Sequence, residues 1–203
     1  PKDLEVPLKE DMVLSAPLEP TNEPYALAKI LTTRLCQYIQ KNNKAHYFKT
    51  LIACNLYGRY DNFDPRSSHL LAAIVHKIHS AKLANNRKVE IWGDGSARRE
   101  FLYAGDFADA IIRAGTDIEA IPDVMNIAVG YDHTINDYYK FVAEVVGWDI
   151  DVVYNENKPV GMKQKLSSIE LQTRWGWTPE TKLQQGIAQC YNYYLENLTP
   201  QRA

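Results

Sequence analysis

Apolar residues follow two alternating rhythms along this chain. From Tyr25 to about Asn42 they recur four apart, at Leu27, Leu31, Leu35 and Ile39, among good helix formers, which predicts an amphipathic helix. Thr21 or Asn22 is placed to cap it, and Pro24 falls near the first turn, where its missing N–H costs nothing. Residues 1–24 are polar and broken by Pro7, Pro17, Pro20 and Pro24, an expected irregular lead-in. The rhythm then shortens: residues 49–57 form a mostly apolar, partly β-branched run stopped at Gly58, which suits a strand buried on both faces. After a loop over 61–68 comes a second helix from Ser68 to about Lys82, closed at Asn85-Asn86. Val89–Trp92 is a short strand stopped by Gly93-Asp94-Gly95, Phe101–Tyr103 is another, and Asp106 is placed to cap a helix reaching about Ala114. Val124–Ala128 reads as strand, Thr134 caps a helix over Ile135–Val146 that Gly147 ends, Asp151–Tyr154 reads as strand, and a last amphipathic helix covers about Leu183–Leu198. The alternation predicts a layered α/β protein, with no internal repeat and no low-complexity segment.

With 203 residues, 45% hydrophobic and 24% charged, the chain is sized for one or two globular domains, which excludes disorder and collagen-like structure. The longest apolar run, Leu70 to Val75, falls far short of the roughly 20 residues of a spanning helix, so no membrane crossing is expected. A net charge of -2 without a dense basic block argues against nucleic acid as the main partner. Cys36, Cys54 and Cys190 are odd in number and widely spaced, so neither a disulfide framework nor a thiolate zinc site is indicated, and a reducing cytoplasm fits best. The chain opens Pro-Lys-Asp, with no initiator Met and no targeting signal, which raises the expectation of a fragment.

Chemistry begins with two Tyr-x-x-x-Lys pairs, Tyr25 with Lys29 and Tyr154 with Lys158. Among 13 tyrosines roughly one such pair arises by chance, so spacing alone decides nothing. The second precedes Pro159, where helix is disfavoured; the first lies on the strong helix, where residues i and i+4 share a face. An ammonium there favours phenolate and lowers a pKa that starts near about 10, making Tyr25 a usable proton donor or acceptor. The bland counterpart is a surface Lys beside an interfacial Tyr. His69, His76 and His79 could share a helix face, but no carboxylate or Cys joins them at ligand spacing, so no metal is expected. Gly93-x-Gly95 has Arg98 in place of a third glycine and reads as a turn, not a dinucleotide fingerprint.

The ordered stretch Glu19-Pro-Thr-Asn-Glu-Pro-Tyr25-Ala-Leu-Ala-Lys29, then Asn55-Leu-Tyr-Gly58, Asp61-Asn-Phe63, Ser68-His69 and Trp92-Gly93-Asp-Gly95 through Arg99-Glu-Phe-Leu-Tyr103, resembles the extended short-chain dehydrogenase/reductase superfamily. Within it the chain is most similar to the GDP-L-fucose synthase family, NADPH-dependent epimerase-reductases of GDP-4-keto-6-deoxy-mannose, over about Glu19 to Leu198. The resemblance implies that Tyr25 protonates the C4 oxygen as hydride arrives, and that Lys29 holds the cofactor ribose and depresses the Tyr25 pKa. It implies that His69 serves as an acid/base in epimerising C3 and C5, where a near-neutral pKa suits proton exchange. By the same resemblance Lys77, Trp92, Arg99 and Lys165 contact the sugar nucleotide, and Asn55 lies near the nicotinamide end of the cofactor. Without it, His69 would be an ordinary residue at a helix start, and Arg98, Arg99 and the Lys158, Lys163, Lys165 run would be solvated surface.

The family's opening βαβ unit, with a Gly-x-x-Gly-x-x-Gly turn for the cofactor pyrophosphate, has no counterpart in these residues. Its catalytic Ser and a second acid/base, a Cys, fall upstream of the segment that Pro1-Lys2 resembles. The resemblance therefore implies the C-terminal part of a Rossmann-type doubly wound domain plus a smaller α/β substrate-binding domain. Residues 1–58 are expected to be the Rossmann remnant and 59–203 mainly the substrate domain, with about 99–128 returning to the Rossmann side. Expected partners are a GDP-sugar and, through the Tyr25 helix, a second copy of the chain in a homodimer; the chain alone is expected to bind NADPH poorly and not turn over. Arg59-Tyr60 stand where the family often has Pro-His, Val160 where it has Asp, and Ser167-Ser168 where it has Leu-Asp. These departures leave open another GDP-linked deoxy-sugar or heptose, and the lack of the cofactor half leaves open a non-catalytic sugar-nucleotide binding module.

Overall fold

The computed structural model of the protein describes residues 7–158 and 161–197. The expectations at Pro1, Lys2, Pro159, Val160 and Leu198 lie outside these residues.

Helix α1 (Glu23–Asn42) forms where the four-residue rhythm places it, with Glu23 and Pro24 in its first turn. Asn22 occupies the cap position without making a cap bond; its backbone and side-chain N–H groups both reach the Glu19 carboxylate, at 3.1 and 3.0 Å. The helix buries no residue, and Leu27, Leu31 and Leu35 stay at least half exposed. The lead-in is not wholly irregular, since 3-10 turns form at Glu10–Met12 and Pro20–Asn22.

The single strand expected over 49–57 is two. β1 (Thr50–Ala53) runs parallel to β6 (Val124–Ile127), and β2 (Asn55–Tyr57) runs parallel to β5 (Phe101–Tyr103). The switch of partner falls at Cys54, whose N–H donates to the Ile127 carbonyl at 3.2 Å. All four β1 residues are half-buried rather than enclosed, because β6 is the strand's one hydrogen-bonded neighbour among the described residues.

Helix α2 (Leu70–Leu83) starts two residues later than expected, with His69 at its cap position. The segment over Phe101–Tyr103 passes directly into α3 (Ala104–Thr116), so Tyr103, not Asp106, is the cap residue. Asp106 sits in the first turn and accepts bonds from the Thr181 N–H at 3.0 Å and its hydroxyl at 2.8 Å, tying a distant loop down. Helix α4 (Ile135–Val146) has the expected Thr134 cap, reinforced by a reciprocal bond from the Thr134 N–H to the Asp137 carboxylate, and ends on Gly147 in the left-handed region.

β3 (Lys88–Trp92) pairs in parallel with β8 (Asp151–Asn155). Two-residue strands with no sequence signal of their own make the remaining sheet: β4 (Arg98–Arg99) lies between β7 (His133–Thr134) and β9 (Gln164–Lys165). A short helix α5 (Glu170–Trp175) precedes α6 (Leu183–Asn197).

Two apolar clusters result. One gathers Leu71, Ile74 and Ile78 of α2, Tyr138 and Val142 of α4 and Ile187 of α6 around Val89, Ile91 and Phe101. The other sets Ala110 of α3 and Trp177 against Cys54, Leu102, Met125 and Ile127. No helix among the described residues is long and apolar enough to cross a membrane.

Candidate functional site

Tyr25 and Lys29 meet one turn apart on α1, with the Lys29 ammonium 5.4 Å from the centroid of the Tyr25 ring. Tyr25 is 67% exposed, so its phenol is open to a ligand. Among the described residues no hydrogen bond or ring contact links this pair to the other expected site residues. His69, at the start of α2, is exposed; it faces Asp61, whose carboxyl burial pushes above the usual range, with the His69 charge opposing the shift.

Asn55, the first residue of β2, donates its side-chain amide to the Glu100 carbonyl at 2.7 Å. Glu100 is 1% exposed, and its carboxylate accepts the N–H groups of Val129, Gly130 and Ser167 at 3.0, 2.7 and 2.9 Å. Burial pushes its carboxyl up, and the three backbone donors pull the other way. One buried acid thus joins the strand that carries Arg99 to the turn after β6 and the segment after β9. Nothing in a local sequence window reveals this role, because every donor is a backbone group distant in the chain.

Arg99 is half-buried, which lowers its pKa by desolvation. Its Nη1 donates to the carbonyls of Arg98 and Met162, both at 2.7 Å, and no carboxylate pairs with it among the described residues. Lys165 stands in register beside it across β4 and β9. Arg98, by contrast, is spent on structure: its guanidinium pairs with the buried Asp132 at 2.6 Å, which also accepts the Gln164 amide at 2.7 Å.

An open cleft of ≈ 490 Å³ is lined by Gly93, Ala97, Glu156, Gly161 and Lys163 among others, and Arg99 lies behind Gly161, where an added Cβ would come within 3.4 Å of its guanidinium. The Gly93-Asp94-Gly95 turn on its wall needs left-handed backbone at both glycines, φ 69° and 72°, and a Cβ on Gly95 would meet the Asn136 amide at 2.1 Å. Immediately before this turn, Trp92 closes β3 and is 52% exposed. The Lys77 ammonium lies 5.7 Å and that of Lys158 5.3 Å from the indole centroid. Lys77 also donates to the Glu90 carbonyl at 3.2 Å and the Tyr139 hydroxyl at 3.4 Å, and burial lowers its pKa. The structure therefore brings seven of the eight expected residues into three groups, Tyr25 with Lys29, Asn55 with Arg99 and Lys165 through Glu100, and Lys77 with Trp92, while His69 stands apart from them beside Asp61. Lys158 joins the last group although its Tyr-x-x-x-Lys pairing with Tyr154 does not lie on a helix.

Metal chemistry finds no donor cluster among the described residues. His76 and His79 share hydrogen bonds with the hydroxyls of Tyr194 and Tyr191, at 2.9 and 3.0 Å. Burial pushes the Cys190 thiol up to about 12, and Cys54 further still, so neither supplies a thiolate at neutral pH.

Comparison with known proteins gives these residues a context. The family model described as "NAD dependent epimerase/dehydratase family" matches residues 1–128. A GDP-L-fucose synthase of Azorhizobium caulinodans is 52% identical over 195 residues, covering 96% of this chain and 62% of the relative. A GDP-L-colitose synthase of Yersinia pseudotuberculosis is 45% identical, covering 96% of this chain and 63% of the relative. Among solved structures, a GDP-mannoheptose C4 reductase from Campylobacter jejuni with NADP bound superposes with a TM-score of 0.84 at 28% identity, over 96% of this chain and 66% of that one. The chain spans less than two thirds of the length of these curated relatives.

Proposed function

The chain belongs to the NAD dependent epimerase/dehydratase family, and from that premise we propose that it forms part of an NADPH-dependent epimerase/reductase of GDP-linked keto-sugars. The observation that carries this reading is the pairing of Arg99 with Lys165. The two stand in register on adjacent strands, and a half-buried guanidinium that has no carboxylate partner among the described residues is costly. A diphosphate relieves that cost, and a guanidinium matches its geometry. The GDP-sugar named for each of the relatives above supports that ligand class, and the bound NADP of the Campylobacter jejuni structure supports the cofactor.

The residues present fit the nicotinamide end of such a cofactor. Asn55 opens β2 two residues past the last residue of β1, near the end at which α/β sheets receive ligands, and its amide is held by the Glu100 carbonyl. When bound, NADPH supplies the hydride that reduces the C4 carbonyl. Tyr25 gives its phenolic proton to the C4 oxygen, and Lys29 stabilises the phenolate left behind while holding the ribose hydroxyls. His69 serves as one acid/base at C3 and C5, which the adjacent carbonyl acidifies, with the proton on the opposite face exchanged by a second acid/base of the longer protein. Arg99, Lys165, Lys77 and Trp92 hold the nucleotide. On this reading residues 1–58 and about 99–128 serve the cofactor side and the rest mainly the substrate side.

The glycine-rich pyrophosphate turn is not among these residues, so NADPH binding and turnover are read as properties of a longer protein. The uncovered apolar stripe of α1 supports a homodimer, and the free cysteines support a cytoplasmic setting. The names of the relatives support a second sugar class as well, a colitose-type or heptose one, and Arg59-Tyr60 depart from the fucose-synthase pattern, with the exposed Tyr60 ring set edge-on against Tyr193 at 4.9 Å.

Calorimetric titration tests the reading. GDP is expected to bind this chain more tightly than NADPH, and Arg99→Ala is expected to weaken GDP binding at least about tenfold, the loss of a charge-assisted contact. Absence of GDP binding, or an Arg99→Ala chain that binds as well as the parent, overturns it.

A further inference from the structure

Trp92 does not hold its place by packing. Half its surface meets solvent, so its ring needs a polar tether to keep one orientation. Glu90 provides it. Lying two residues earlier on β3, Glu90 projects from the same face of the strand, and its carboxylate accepts the Trp92 indole N–H at 3.0 Å. The second carboxylate oxygen accepts the side-chain amide of Asn155 at 2.9 Å, and Asn155 stands in register with Trp92 across the β3–β8 pair. The Glu90 main-chain carbonyl accepts both the Lys77 ammonium at 3.2 Å and the Tyr139 hydroxyl at 3.3 Å. A single residue thus sets the indole with one end and a flanking ammonium with the other.

We propose that Glu90, braced by Asn155, is a positioning residue for nucleotide binding: it fixes the angle of the Trp92 indole between the Lys77 and Lys158 ammoniums. The inference rests on the reading of Trp92 and Lys77 as nucleotide contacts. A carboxylate beside a site for phosphates opposes the ligand's charge. What offsets that repulsion is the bond only an acceptor at this position can give the indole. The Asn155 amide holds the Glu90 carboxyl below the usual carboxylate range, aided by Trp92, Lys77 and Lys158, so the acceptor stays ionised at neutral pH. Glu90 itself is exposed, so replacing it leaves both apolar clusters untouched.

The test compares Glu90→Val, a strand former without an acceptor, with Glu90→Gln, whose carbonyl still accepts from the indole while Asn155 presents its own carbonyl to the new amide. Binding of GDP is titrated by calorimetry, and the indole N–H resonances are followed by NMR. Glu90→Val is expected to move the Trp92 resonance upfield and weaken GDP binding about tenfold, whereas Glu90→Gln stays within about twofold of the parent. If both variants bind GDP more tightly, Glu90 acts only as a repelling charge and the inference fails. It fails equally if the resonance moves in Glu90→Val without a change in affinity, or if neither responds. A parent chain that does not bind GDP overturns the proposed function and this inference with it; a parent that binds while the variants contradict the pattern overturns the inference alone.

Discussion

Helices α1 and α4 carry apolar stripes of similar spacing, yet they end in opposite environments. On α4, Tyr138, Tyr139, Val142 and Val146 are all buried against α2 and α6. On α1, Leu27, Leu31 and Leu35 stand 50%, 69% and 54% exposed, and no residue is buried. Their starts differ in the same sense: Thr134 makes a reciprocal capping box with Asp137, whereas Asn22 caps nothing. Periodicity therefore reveals which face of a helix needs cover, while the source of the cover is a separate fact. For α4 it is this chain's own fold; for α1 the proposed source is a second copy.

The sharpest way to break the comparison is to shorten one side chain in each region. Ile187→Ala, at a site 1% exposed under α4, is expected to cost ~2–5 kcal/mol in urea unfolding. Leu31→Ala, measured at a concentration where protomers are separate, is expected to stay within ~0.5 kcal/mol. Comparable losses at both sites would mean that α1 is covered within the protomer. A smaller contrast lies in the caps: Thr134→Ala should lose ~1 kcal/mol and Asn22→Ala only about 0.5 kcal/mol or less, both read from the same unfolding curves.

The smallest effect is a pH slope. The Thr134 hydroxyl holds the Asp137 carboxyl below its ordinary value of 3.8. A depressed carboxylate pKa contributes stability that is present above the unfolded value and lost as pH falls through the folded one. Acid titration below about pH 4 should therefore be shallower in Thr134→Ala than in the parent, since the largest of the interactions that hold the folded pKa down is gone while the Thr134 N–H and Lys140 remain. An unchanged acid limb would place the stabilisation of Asp137 elsewhere.

Most of the architecture was legible because long elements repeat their signal. Helices α1, α2, α4 and α6 and strands β3 and β5 each emerge from periodicity or from a stop at Gly or Asn. Strands β4, β7 and β9 were not, since two residues carry no period and their pairing partners lie more than 30 positions away. The division at Cys54 was equally hidden: the residues stay apolar throughout, and only the hydrogen-bonding partner changes. Asp106 misled because an acid before a helical run resembles a cap, and the strand before it left no room for one. Of the candidate site, Tyr25, Lys29, Asn55, His69, Lys77, Trp92, Arg99 and Lys165 are candidates supplied by resemblance, and their roles belong to the proposed function. Glu90 and Glu100, which orient several of them, were not legible, because their partners are backbone groups and side chains brought close only by folding.

Residues 98–103 are shared between two sheets. The first two pair with β7 and β9, the last three pair with β2, and only Glu100 separates them. Arg99 therefore lies two peptide units from the strand that pairs with β2, and the Glu100 carbonyl between them accepts the Asn55 amide at 2.7 Å, so substitutions at Arg99 and Asn55 are expected to couple rather than add.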